Sequence, residues 1–208
     1  MLAALRRHLW LAADLGARYL RVLPGGGGQP MAEADRTAVA RLDAVASLAL
    51  ACGVTVLLET HDSHRSAFDA LRVVSRVGAP SVGVLWDTLH TRLAGQEPEE
   101  ALRALLPHLG YAQLKDVVDT ADPVPAPLGS GVLRPERAVR ALLACGYPGW
   151  LVWEYEALWY PQVAALPPLL PAARAWLREA VRDAGAAGRP RADARAAAGH
   201  RSATRTCP

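Results

Sequence analysis

Acidic residues recur at one place in a repeated phrase. Short apolar runs beginning at Val54, Val82, Tyr111 and Trp150 end on Glu59, Asp87, Asp116 and Glu154. A fifth run, YLRVL from Tyr19, has no terminal acid. Each run follows a helix-like stretch with a glycine near its end. Parallel strands separated by helices point their C-terminal ends the same way, so acids at those ends converge on one mouth. Carboxylates gathered there repel one another unless something positive sits between them. A divalent cation is the simplest answer, and oxygen ligands suit Mg²⁺ or Mn²⁺. Glu59, Asp87 and Glu154 carry that expectation. One acid at one strand end could equally be a helix cap or half of a surface salt bridge; the set is what argues for a site.

The elements that position these acids can be read from period and punctuation. An amphipathic helix opens the chain, with Leu5, Leu9, Ala12 and Leu15 at helical spacing, and it ends near Gly16. The loop PGGGGQP from Pro24 follows the first strand. Further helices are expected over about 32–52, 66–77, 98–109 and 168–182, and another opens at Pro135 and closes at Gly146. The strands between them are VTVLLE, VGVLWD, YAQLKD and WLVWE. The stretch DTADPVPAPLGSG is too proline-rich for regular structure. Strict alternation of strand and helix predicts a parallel α/β sheet. No spaced G-x-G-x-x-G follows the first strand, and carboxylates at several strand ends favour a barrel.

Composition bounds the function. The chain has 208 residues and 51% hydrophobic content, enough for one domain with a substantial core. Five arginines and one acid put +4 of its +3 formal charge in residues 184–208, which leaves residues 1–183 at −1. The body is therefore no basic surface for specific nucleic-acid binding, and the Ala/Arg/Gly-rich tail is expected to stay disordered. No run of about 18 uncharged apolar residues suggests a membrane span. Cys52, Cys145 and Cys207 lack the spacing of a disulfide framework and fit reduced thiols in a cytoplasmic protein. Cys52 and Cys145 precede helix-ending glycines and read as buried apolar filler.

The segments LLETHD, LWDTLH, LKD, GSG and GYPGWLVWEYEALWYP, in that order, resemble the sugar isomerase/epimerase group of the xylose isomerase-like barrel superfamily, to which ketose 3-epimerases and inosose dehydratases belong. The resemblance covers roughly residues 9–176. It implies four metal ligands, at Glu59, Asp87, Gln113 and Glu154, with Gln113 standing where the family carries a histidine. It implies that Glu59 and Glu154 act as an acid/base pair on either side of a substrate carbon, and that His90 of the D-x-x-H motif hydrogen-bonds a substrate oxygen. His61, Lys115 and Arg21 are further candidates for substrate contact. Glu156 falls on the same side of an extended strand as Glu154 and could support it. Trp86 and Trp153, each just before an acid, should point into the helix layer.

The fold expected is therefore a partial (β/α)8 TIM barrel over residues 1–183, with about five of eight units and the first three strands missing. A start codon placed downstream of the true one, or a decayed fragment, would produce such a chain. The function expected is a sugar or sugar-phosphate isomerase or epimerase that needs Mn²⁺ or Mg²⁺ and works through an enediolate. An inosose dehydratase-like lyase would use the same groups. A non-catalytic barrel fragment, or one completed by another chain such as a second copy in a homo-oligomer, is the alternative from another class. The DNA-repair endonuclease branch shares the D-T-x-H element Asp87–His90, but needs further ligands where this chain reads Val124-Pro125-Ala126-Pro127.

Overall fold

A computed structural model describes residues 1–187. Five strands, β1 (Tyr19–Val22), β2 (Thr55–Glu59), β3 (Val82–Asp87), β4 (Leu109–Leu114) and β5 (Leu151–Trp153), lie side by side in chain order. Every neighbouring pair is parallel. Helices α1 (Leu2–Asp14), α2 (Met31–Ala51), α3 (Ala67–Val77), α5 (Pro98–Leu105), α6 (Pro135–Ala144) and α7 (Leu166–Ala187) surround the sheet, and a short α4 (Thr88–Leu93) follows β3 directly. The result is a half-barrel, a partial TIM barrel with β1 and β5 at its edges. No helix among the described residues is long and apolar enough to cross a membrane.

Alternation along each strand divides the side chains between two faces. Val56 and Leu58, Val82, Val84 and Trp86, and Ala112 and Leu114 enter one apolar core with the helices, and Leu20, Val22, Leu151 and Trp153 pack against it. The helices supply Leu9, Val45, Ala49, Val73, Leu102, Leu105, Val139 and Leu142. Trp86 is fully buried, and its indole N–H donates to Thr91 Oγ1 at 2.9 Å. Truncating it to alanine would cost about 3–5 kcal/mol. The other face takes Arg21, Leu57, Glu59, Leu85, Asp87, Gln113 and Glu154. Leu57 fills that face so closely that a Cβ at Gly110 would come 2.5 Å from its Cδ1, and a larger residue there would have to turn the Leu57 side chain aside.

Local chemistry sets the helix ends. Ser66 Oγ accepts from the Asp69 N–H at 3.1 Å, and Gly78 closes α3 in the left-handed conformation at φ 62°. Pro98 and Pro135 open α5 and α6. Buried Asp35 of α2 ties α2 to α3 through Arg72, at 2.6 Å, and Arg76, at 3.1 Å.

Two expectations fail for one reason. Leu15 and Cys145 are exposed, not buried. Each lies one residue past its helix, whose last residues are Asp14 and Ala144, so helical periodicity no longer places it. Cys52 is half-buried. Strand β4 begins and ends two residues earlier than expected, which leaves Lys115 and Asp116 beyond it. Helix α7 runs on through residues 184–187, and the rest of the Arg-rich tail lies outside the described residues.

Candidate metal centre at the barrel mouth

Strand geometry brings the acids together. Glu59 is the last residue of β2 and Asp87 the last of β3. Asp87 is in register with Gln113 on β4. Glu154 follows β5 directly, and its N–H donates to the Leu114 carbonyl at 3.1 Å, which extends the ladder by one bond. One oxygen from each of Glu59, Asp87 and Glu154 lies within 4.8 Å of the others.

Each carboxylate divides its two oxygens between support and mouth. Asp87 Oδ1 caps α4, accepting from the N–H groups of Leu89 at 2.8 Å and His90 at 3.3 Å. Arg21 Nε donates to Glu59 Oε2 at 2.5 Å and its Nη1 to Glu154 Oε1 at 2.7 Å. The second oxygens, Glu59 Oε1, Asp87 Oδ2 and Glu154 Oε2, are buried without a hydrogen bond, and so is Gln113 Oε1. Lys115 Nζ lies 3.1 Å from Asp87 Oδ2 and 2.8 Å from Glu154 Oε2. These two ion pairs hold the ammonium against the oxygens that no other polar group reaches. Glu156 Oε2 stands behind the ammonium at 3.4 Å.

Burial and charge pull the protonation states apart. Burial raises Glu59 to about 8, against the pull of Arg21 and with help from the negative charges of Asp87 and Glu154. Burial also raises Asp87 to about 6, although Lys115 opposes it. At Glu154 burial pushes upward too, but Lys115 and Arg21 outweigh it and the pKa falls. Lys115 is buried, yet Asp87, Glu154 and Glu156 hold its pKa above the usual lysine value. His90 drops to about 3, through burial first and then the nearby His61 and Lys115. Its Nε2 is buried without a partner. The His61 and His90 rings lie against each other with centroids 3.9 Å apart.

The structure thus gathers Glu59, Asp87, Glu154, Lys115 and Arg21 into one network, sets Gln113 in register beside Asp87, and packs the His61 ring at a tilt against His90. Asp116, the third acid in the repeated phrase, turns elsewhere. Its carboxylate accepts backbone N–H groups from Val117, Gly129, Gly131 and Leu133, and it serves the loop that follows. His64, in the loop after β2, is buried, with Nε2 3.1 Å from Asp35 Oδ1 and Nδ1 2.8 Å from Ser63 Oγ. Ser63 in turn donates to the Gly25 carbonyl at 2.6 Å, which fastens the glycine-rich loop to the one after β2. An acid on the apolar side of α2, Asp35 among alanines, was the sequence signal for that latch. The bridging reach of Arg21 left no such signal, because it depends on the distance between strands that are far apart in sequence.

A family model described as xylose isomerase-like TIM barrel matches residues 2–180. A putative hydroxypyruvate isomerase from Streptomyces coelicolor is 29% identical over 168 residues, 73% of this chain and 58% of the relative. The chain therefore spans little more than half the length of that curated relative. Among solved structures, L-ribulose 3-epimerase superimposes with a TM-score of 0.76 at 22% identity, covering 89% of this chain and 68% of that one. The IolI protein with a bound zinc atom gives 0.73 at 18% identity, covering 87% and 69%. A 3-keto-D-glucoside 4-epimerase from E. coli gives 0.69 at 20% identity, covering 86% and 70%.

Proposed function

Because the chain belongs to the xylose isomerase-like TIM barrel family, we propose that it is a sugar isomerase or epimerase whose mouth binds a divalent cation through Glu59, Asp87, Gln113 and Glu154. One observation carries this reading. Each of the four residues turns one buried oxygen to the mouth; those of Glu59 and Gln113 have no polar partner and those of Asp87 and Glu154 face only the Lys115 ammonium, and buried oxygens left so are costly unless a cation satisfies them. Four hard oxygen donors fit Mg²⁺ or Mn²⁺. A cation bound there would supply Lewis acidity toward a carbonyl oxygen.

The protein's own groups then account for the proton transfers. One of the two glutamates removes the proton α to the substrate carbonyl, and the electron pair moves onto the carbonyl oxygen to give an enediolate. A proton returned by the other glutamate to the opposite face of the same carbon gives the epimer; one returned to the former carbonyl carbon, with the hydroxyl proton of the enediolate passing to the first oxygen, gives the isomer. In the metal-free protein the two carboxyls are pushed in opposite directions, Glu59 up by burial and Glu154 down by Lys115 and Arg21, so their surroundings already distinguish them. Lys115 supplies positive charge beside the developing oxyanion. His90, held neutral, and the adjoining His61 offer ring nitrogens to substrate hydroxyls.

The test is proton exchange. In D₂O with Mn²⁺, free ketoses, ketose phosphates and inososes are screened for deuterium at the carbon next to the carbonyl. The expected result is metal-dependent exchange on one class, lost in Glu59→Gln and Glu154→Gln. No exchange on any class with Mn²⁺ or Mg²⁺ bound would overturn the proposal. Loss of water from an inosose instead of epimerisation would assign the same groups to a lyase.

A further inference from the structure

Lys115 occupies a place where a cation is wanted. Its side chain is 4% exposed. Its ammonium faces the two oxygens, Asp87 Oδ2 and Glu154 Oε2, that no hydrogen bond satisfies. Arg21 differs, because it binds Glu59 Oε2 and Glu154 Oε1 and leaves the mouth-facing oxygens alone. An ammonium about 3 Å from two prospective ligand atoms and a divalent ion on those atoms would repel strongly at that range. Both cannot hold the same oxygens.

We propose that Lys115 is an internal stand-in for the metal, and that metal entry drives its ammonium off Asp87 and Glu154 and onto Glu156. This rests on the metal-site reading above and adds a mechanism of exchange to it. The travel is short, since Glu156 Oε2 already lies 3.4 Å from Nζ. Glu156 is also outside the group of three carboxylates that converge within 4.8 Å, so it can receive the lysine without giving up a metal ligand. Its side chain is 34% exposed and has room to turn. The exchange does three things. In the metal-free protein it neutralises buried carboxylates that would otherwise repel. It sets metal affinity below what the bare oxygens would give. On loading, it leaves a positive charge beside the metal, where a substrate oxygen would bind.

Isothermal titration with Mn²⁺ on the whole chain tests this without any turnover. Lys115→Met should tighten Mn²⁺ binding by about tenfold, the equivalent of 1.4 kcal/mol, and lower the melting temperature of the metal-free protein. Glu156→Gln should weaken Mn²⁺ binding several-fold, because the displaced ammonium loses its second berth. In the Lys115→Met background, Glu156→Gln should then change nothing, a non-additivity that a merely structural role would not produce. If the wild type binds Mn²⁺ and Lys115→Met binds it no tighter, the exchange is overturned and the metal site stands. If neither binds Mn²⁺, both fall together. Should Lys115→Met fail to fold, Glu156→Gln alone decides: unchanged or tighter Mn²⁺ binding refutes the exchange.

Discussion

The guanidinium of Arg21 lies 2.5 Å from Glu59 Oε2, an ion pair that runs from the edge strand β1 to the end of its neighbour β2. The same guanidinium reaches Glu154 beyond the far edge at 2.7 Å. The two glutamates assigned to proton transfer are thus held by one planar fork, and each presents its other oxygen to the mouth. Orientation of this kind matters because a displacement of about 1 Å at a reacting group can cost about 10²-fold in rate.

Arg21→Met should therefore lower kcat for proton exchange by about 10²-fold with a smaller change in KM. Arg21→Lys should recover little of it, since an ammonium cannot present two directed donors to two carboxylates. Steady-state kinetics of both variants on the substrate found by the exchange screen checks this. Full recovery by lysine would mean that charge alone is at work.

Glu59 gives the metal-free protein a pH-dependent stability. Its pKa is raised from 4.5 to about 8, so the folded state binds this proton more tightly than the unfolded chain does. Stability from this source is fully present below about 4.5 and is lost as pH rises through about 8. Asp87, raised from 3.8 to about 6, adds a loss of the same sign at lower pH. The melting temperature without metal should fall between pH 5 and 8, and Glu59→Gln should flatten the upper part of that fall. Stabilisation by Mn²⁺ should grow over the same window, because protons compete for the ligands. Thermal scans in chelator and in Mn²⁺ give both curves.

Much of this site was legible in the chain because parallel strands obey simple rules. The end of VGVLWD at Asp87 and the period-two placement of Glu59 behind Leu57 follow from local pattern alone. The burial of Trp86 on the helix side follows from its neighbour Asp87 facing the mouth. Illegible were the choices made by residues just past a strand, where alternation no longer applies. Lys115 and Asp116 are adjacent, yet one turns into the carboxylates and the other into the loop. Equally hidden were partners fixed by distance across the sheet, such as Arg21 with Glu154, because spacing in sequence says nothing about a span over the mouth.

Gln113 is where the chain departs from the histidine implied by its family resemblance, and the structure places it beside Asp87 with its Oε1 free. An amide oxygen is a hard, neutral donor, whereas imidazole favours softer ions. Gln113→His should therefore shift preference toward Zn²⁺, tightening it by about tenfold or more while Mg²⁺ gains little. Competition between Zn²⁺ and Mn²⁺ against a chelating dye reads the change. An unchanged ratio would place Gln113 outside the ligand set.

Asp116 is a test of loop order that leaves the metal ligands untouched. Its Oδ1 accepts from Val117 and Leu133 and its Oδ2 from Gly129 and Gly131, at 2.9–3.1 Å, which pins both ends of the segment that links β4 to α6. Gly131 approaches so closely that a Cβ would collide with this carboxylate. Asp116→Asn keeps the shape but turns an amide NH₂ toward two N–H donors. Hydrogen bonds to a charged group contribute about 1.5–3 kcal/mol each, so the loss of two should destabilise by about 3 kcal/mol and lower the melting temperature by roughly 6–12 °C for a chain of this size. Hydrogen exchange should localise the loosening to residues 117–134, next to Lys115. A variant as stable as the wild type would show that the loop is held by its prolines and not by this carboxylate.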